Sequence, residues 1–179
     1  MVYLFLANGF EEIEALTPID MLRRAGIETV SVSINPTKEV TGAHGITVMA
    51  DKTIADTLPT NIDAVILPGG LPGADNLRND TKVNMFIDEA VKHNKYVCAI
   101  CAAPRILGEK GLLIGKKAVC YPGFEGYLKG ATVVDSGCVV DGNIITSKGM
   151  GKATEFSLAI ITALKDKETA EKIKESIFA

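Results

Sequence analysis

The stretch Tyr96-Val97-Cys98-Ala99-Ile100-Cys101-Ala102-Ala103-Pro104-Arg105 decides the fold. Tyr96–Ile100 is short, apolar and rich in strand formers, so it reads as a buried strand. Pro104 stands where the first turn of a helix tolerates proline. Cys101, with Ile100, Ala102 and Ala103 around it, falls at the turn between the two. A sharp strand-to-helix turn needs small neighbours and leaves its residue exposed at the edge of the sheet, which is the logic of a nucleophile elbow. The flanking glycines of the better-known elbow are absent. A helix amino terminus at that point would favour the thiolate and lower the thiol pKa, and the next backbone amides could bind an oxyanion. Free cysteine is also ordinary core filler, and pattern alone leaves both readings open.

Outward from this segment, strand and helix patterns alternate. Val2–Leu6 is an apolar run closed by Ala7-Asn8-Gly9, and Glu28–Ser33 and Asp63–Leu67 are further strands. A helix is expected from Glu11 to Ala25, acidic at its start, kinked near Thr17 by Pro18 and ended by Gly26. Glu39–Met49 reads as a hairpin or bent strand. Helices are expected over Thr81–Asn94, Ala102–Lys110, Lys152–Leu164 and Lys167–Ser176. Short strands are expected around Ala118–Val119, Thr132–Val134 and Ile144–Thr146. Alternating buried strands and helices predict an α/β sandwich with a mostly parallel central sheet. Ligands in such sheets bind beyond the carboxyl ends of the strands. Ala7–Phe10, Pro68–Pro72 and the turn at Cys101 are the loops at those ends.

With 179 residues, 47% of them hydrophobic, the chain fits one domain spanning 1–179 with a sizeable core. A net charge of −3 and no tryptophan argue against nucleic acid as a partner. No apolar run approaches the roughly 20 residues that span a bilayer, and the apolar start lacks the basic leader of a secretion signal. A cytoplasmic protein with reduced thiols is expected, since four cysteines in this length do not make a disulfide framework.

Cys98 and Cys101 form a C-x-x-C. In an extended strand their α-carbons stand about 10 Å apart, beyond the roughly 7 Å a disulfide tolerates, so Cys98 reads as core. Cys120 and Cys138 are isolated. No cysteine–histidine cluster has zinc spacing, and no metal or other cofactor is expected. Pro68–Gly73 does not fit the dinucleotide fingerprint. Gly149–Thr154 resembles the end of a P-loop, but Thr146 stands in place of the first glycine. His93 reads as exposed, and His44, in a glycine turn, could overhang a pocket. Glu14 lies among Ile13, Ala15 and Leu16. Facing inward, it would have a raised pKa and could pair with a thiol or act as a base; facing outward, it is a solvated helix residue.

These motifs together resemble the ThiJ/PfpI superfamily, in the branch of the Parkinson-associated protein deglycase and its bacterial relative YajL. The resemblance rests on Leu6–Glu14, Pro18–Gly26, Leu67–Gly70, Ala99–Pro104 and Thr146–Gly149. It implies a flavodoxin-like three-layer sandwich and a homodimer. It implies that Cys101 is a reactive, oxidisable nucleophile and that Glu14 is its protonated partner, hydrogen-bonded to the thiolate. The backbone amides of Gly70 and Ala102 would form the oxyanion site, and Arg24, His44 and Lys148 would approach the pocket mouth or dimer interface. The activities implied are cofactor-free glyoxalase or deglycase action on small reactive carbonyls or glycated substrates, with chaperone action and oxidative-stress sensing beside them. A histidine that the branch often carries before a proline is replaced in Val119-Cys120-Tyr121-Pro122. Tyr121 can donate a hydrogen bond but titrates too high to be an easy base at neutral pH. Its presence favours the alternative of a redox-sensing chaperone. The third alternative, an amidase or protease, needs a histidine beside Cys101. His44 and Lys148 stand where the branch carries pocket-mouth arginines, which changes anion affinity.

Overall fold

The computed structural model describes residues 1–179. In chain order it contains β1 (Val2–Leu6), α1 (Glu12–Arg24), β2 (Thr29–Ser33), β3 (Glu39–Thr41), β4 (Thr47–Met49), β5 (Lys52–Thr53) and β6 (Ala64–Leu67). There follow α2 (Gly73–Asn79), α3 (Thr81–Lys92), β7 (Tyr96–Ile100), α4 (Pro104–Glu109), β8 (Lys117–Ala118) and β9 (Thr132–Val133). The chain closes with β10 (Cys138–Asp141), β11 (Ile144–Ser147), α5 (Ala153–Leu164) and α6 (Lys167–Ser176).

Seven strands form one sheet in the order β10-β11-β7-β6-β1-β2-β5. Only the β10–β11 pair is antiparallel. Every residue of β1 is buried, as a strand covered on both faces requires. Alternate residues feed two cores. Tyr3, Phe5, Val65, Leu67, Val97 and Ala99 pack toward α3 and α4. Val2, Leu4, Ile66, Cys98 and Ile100 pack toward α1 and α5. This is the flavodoxin-like three-layer sandwich expected from the sequence. No helix is long and apolar enough to cross a membrane.

The register sets the functional edge. Leu67 lies beside Ala99 and Ile100 beside Ser147. Two residues further along, Gly69 therefore comes level with Cys101 beyond the carboxyl ends of β6 and β7.

The elements differ from the sequence reading in four places. Helix α1 runs through Pro18 without interruption; the missing amide costs one internal bond but not the helix. Helix α4 begins at Pro104 rather than Ala102, because Ala102 and Ala103 are spent on the turn. Helix α2 was not expected, since Gly73-Ala74-Asp75-Asn76 is composed like a loop. Strands β5 and β10 were also unforeseen. Both lie at sheet edges, where apolar patterning is weak.

Candidate active site

Cys101 has φ of +65°, one of four non-glycine residues in the left-handed region. Such a conformation costs an L-residue roughly 1–2 kcal/mol, so neighbouring contacts must hold it. Its amide donates to the Ser147 carbonyl at 2.9 Å, and its carbonyl accepts from the Tyr121 amide at 2.9 Å. The strained residue is thereby pinned from both sides.

Glu14 is brought in by the start of α1. The Glu11 amide donates to the Gly69 carbonyl at 3.0 Å, which docks the helix on the loop after β6. In return the Gly69 amide donates to Glu14 Oε2 at 2.9 Å. The Glu14 side chain is fully buried, and its Oε1 has no hydrogen-bond partner in the chain. The two glycines here are required by space. A Cβ on Gly69 would lie 2.6 Å from both Cys101 Cβ and Glu14 Oε2. Gly70, at φ of +84°, would meet the Glu11 amide nitrogen at 2.3 Å.

Burial pushes the Glu14 carboxyl up to about 7, against the opposing pull of Cys101 and the Gly69 amide. Burial likewise pushes the Cys101 thiol up to about 12, helped by the charge and hydrogen bonding of Glu14. The Gly70 and Ala102 amides act in the opposite direction, although neither closes a hydrogen bond of standard geometry on the sulfur. Burial and the adjacent carboxyl thus work against the thiolate that a helix amino terminus would favour. They act against two amides and a helix of six residues that begins three positions on. Each group is a cause of the other's shift, so burial opposes a second negative charge at this spot and the two titrate as a pair that shares a proton.

The Tyr121 ring reaches the same pocket: its Cδ2 and Glu14 Oε1 lie 3.2 and 3.7 Å from the position a Cβ on Gly149 would take. His44 is exposed and turned to α1, with Nδ1 2.9 Å from Glu12 Oε2. Arg24 sits at the far end of α1 and pairs with Asp20 at 2.6 Å, a full ten residues along the helix from Glu14. Lys148 pairs with Asp135 at 2.6 Å, beside a shallow cavity that includes Cys120 and Glu125. Within one chain, then, Cys101, Glu14, Gly70, Ala102 and Tyr121 come together, and Arg24 does not. A larger cleft lined by Met1, Asp63, Glu89, His93 and Lys95 lies at the opposite end of the strands and holds no nucleophile. Gly69 was missed in the sequence. The doubled glycine after β6 was the available signal, and it reads as an ordinary tight turn until α1 is docked on it.

A flavodoxin-like sandwich with a strained cysteine at its strand edge and a buried carboxyl facing the sulfur defines a class of cysteine-centred α/β proteins. The chain belongs to the DJ-1/PfpI family, whose profile matches residues 1–163. Protein DJ-1 homolog B of Arabidopsis thaliana is 38% identical over 170 residues, covering 94% of this chain and 39% of that protein. The chain thus spans about two fifths of the length of that relative. Protein dj-1beta of Drosophila melanogaster is 33% identical over 174 residues, covering 96% and 93%. Among solved structures, oxidized Toxoplasma gondii DJ-1 superimposes with a TM-score of 0.95 at 37% identity, covering 99% of this chain and 97% of that one.

Proposed function

We propose that the protein is a cysteine-dependent, cofactor-free enzyme that acts on small reactive carbonyls, of glyoxalase or deglycase type, with a role in stress response. The observation that carries this reading is the Glu14 carboxyl, fully buried against Cys101 with one oxygen left without a partner. With its pKa near 7, Glu14 is matched to proton transfer at neutral pH. As the sulfur forms a bond to the carbonyl carbon, the thiol proton passes to Glu14 and the carbonyl π pair moves onto oxygen. The Gly70 and Ala102 amides are the donors available to that oxyanion. Return of the proton completes a hemithioacetal. Glu14 thus acts first as base and then as acid.

Methylglyoxal consumption by wild type and by Cys101→Ser tests this. Loss of turnover in the variant is expected, and equal rates would overturn the reading. Tyr121→His, which supplies a group titrating near neutrality, is expected to raise turnover.

A second reading is a redox sensor or chaperone without turnover, in which Cys101 is oxidised to a sulfinic acid next to Glu14. Two observations favour it. Cys101, like Cys138, is half-buried while Cys98 and Cys120 are buried, and the Toxoplasma gondii relative is described as oxidized. Mild peroxide followed by intact-mass measurement should show addition of oxygen to wild type and none to Cys101→Ser. Oxidation starting at Cys98, Cys120 or Cys138 would count against it. The amidase alternative has no support, since His44 faces Glu12 and His93 faces Glu89. A homodimer is part of the proposal: Ile13 and Leu16 of α1 and Ile46 and Met49 of the hairpin are large apolar residues left exposed. Sedimentation at micromolar concentration should give twice the chain mass.

A further inference from the structure

Helix α4 packs on the opposite face of the sheet from α1, and its second residue, Arg105, is a buried cation. The Arg105 side chain is 7% exposed. Its guanidinium donates to a carboxylate oxygen of Asp75 in the first turn of α2. Its central carbon lies 5.6 Å from the ring centroid of Phe124 and 6.0 Å from that of Tyr127. Its Nε is buried and has no acceptor in the chain. Charged side chains are rarely this buried, and an apolar residue of similar length would fill the space without drying a cation. Packing therefore does not account for the guanidinium. What a long, flat cation adds here is contact with two separate segments at once, a carboxylate on one and aromatic faces on the other.

Both segments lead back to the elbow. On the Asp75 side, the Ala74 amide donates to the Gly70 carbonyl at 2.8 Å and the Gly73 amide to the Gly9 carbonyl at 3.2 Å. The start of α2 thus holds Gly70 in its left-handed conformation. On the aromatic side, the Phe124 amide donates to the Tyr121 carbonyl at 3.1 Å, and the Tyr121 amide to the Cys101 carbonyl at 2.9 Å. The Cys101 carbonyl and the Ala102 N–H belong to one planar peptide unit, so this bond fixes where the Ala102 amide points. A Cβ on Gly108 would collide with the Tyr127 carbonyl, so α4 lies directly on the turn at Glu125–Tyr127. We infer that Arg105 is a positioning residue: by joining α2 to the 121–127 segment across the start of α4, it sets the spacing of the Gly70 and Ala102 amides. The inference rests on the proposed reading in which those two amides receive the oxyanion. Arg105 is not among the groups that shift the Cys101 thiol, so its effect passes through these backbone contacts. Fixed donors lose much of their effect when displaced by about 1 Å.

Arg105→Met in the full chain tests this, since it keeps length and drops the charge. Asp75 is 40% exposed and takes water in place of Arg105, so the variant is expected to melt near the wild-type temperature. Its kcat on methylglyoxal is expected to fall at least about tenfold, with KM held within about twofold. Alkylation of Cys101 by iodoacetamide, followed by peptide mass, is a displacement that forms no oxyanion. Its rate and pH midpoint are expected to stay at wild-type values. In heteronuclear NMR spectra the Gly70 and Ala102 amide resonances are expected to move. Arg105→Lys keeps the charge without the flat face, and is expected to move them less and to recover part of kcat. Unchanged kcat in Arg105→Met, alkylation that falls in parallel with turnover, or resonances of the two amides that stay in place would each overturn the inference. A wild type no faster than Cys101→Ser would defeat the reading of the site instead, and the two amides would still decide the role of Arg105. Where Arg105→Met does not fold, Arg105→Lys decides: wild-type kcat and wild-type amide resonances in that variant would overturn the role.

Discussion

Glu12 and Glu14 lie two residues apart on one helix, and both are buried, yet their ionisation runs in opposite directions. At the hairpin-facing start of α1, burial raises Glu12, but donors from the His44 side chain and from backbone amides outweigh it and hold it below the usual carboxylate range. At the elbow-facing side, Glu14 is opposed only by the Cys101 thiol and the Gly69 amide, and burial wins, carrying it to about 7. Burial therefore does not by itself decide the charge of a carboxyl; the number of donors aimed at it does. One helix turn thus carries a fixed anion on the side of the hairpin and a proton carrier on the side of the sulfur.

The harshest way to break the contrast is to fill the loop after β6. Gly70→Ala places a Cβ 2.3 Å from the Glu11 amide nitrogen at a left-handed φ. It is expected to cost about 3 kcal/mol or more, or to prevent folding, as read by urea denaturation. Gly69→Ala drives its Cβ against Glu14 Oε2 and is expected to abolish Cys101 chemistry as well.

Glu14→Gln sharpens the contrast through pH. The folded-state pKa of Glu14 is raised above its unfolded value of 4.5. Its contribution is therefore fully present below pH 4.5 and is lost as pH rises through about 7. The stability of Glu14→Gln relative to wild type is expected to increase by about 3 kcal/mol between pH 4.5 and 8. A flat difference across that range would show that Glu14 is not held protonated by burial.

The sulfur side of the pair carries backbone strain that the hairpin side lacks. Cys101→Gly is expected to be more stable than Cys101→Ala by about 1 kcal/mol, since glycine accepts a φ of +65° without penalty. Equal stabilities would mean that the elbow is relaxed. At the other extreme is Arg24, exposed at the end of the same helix and paired with Asp20. Arg24→Ala is expected to leave the melting temperature of the monomer unchanged, because exposed pairs contribute little.

Much of the framework was legible in local pattern. The run Tyr96–Ile100, the small residues after it and Pro104 mark a strand, a turn and a helix start without reference to the rest of the chain. Gly26 ends α1 for reasons visible within five residues. Glu14 was not settled that way. Its apolar neighbours Ile13 and Leu16 are exposed while Glu14 itself is buried. Ile13 and Leu16 face away from the core, so reading Glu14 from the polarity of its neighbours gives the wrong side. The Glu12–His44 contact was invisible for a related reason: its histidine arrives from 32 residues away on a separate hairpin.

Cys101 shows where the division falls. Sequence alone determined that a cysteine ends a buried strand and precedes a helix, because strand burial and helix starts are governed by neighbours along the chain. Whether that thiol is acidic was decided only by tertiary structure. Register brought Gly69 level with Cys101, docking of α1 turned Glu14 toward the sulfur, and together they removed water and added a carboxylate. Proton affinity depends on what surrounds an atom in space, and three separate segments supply those surroundings here.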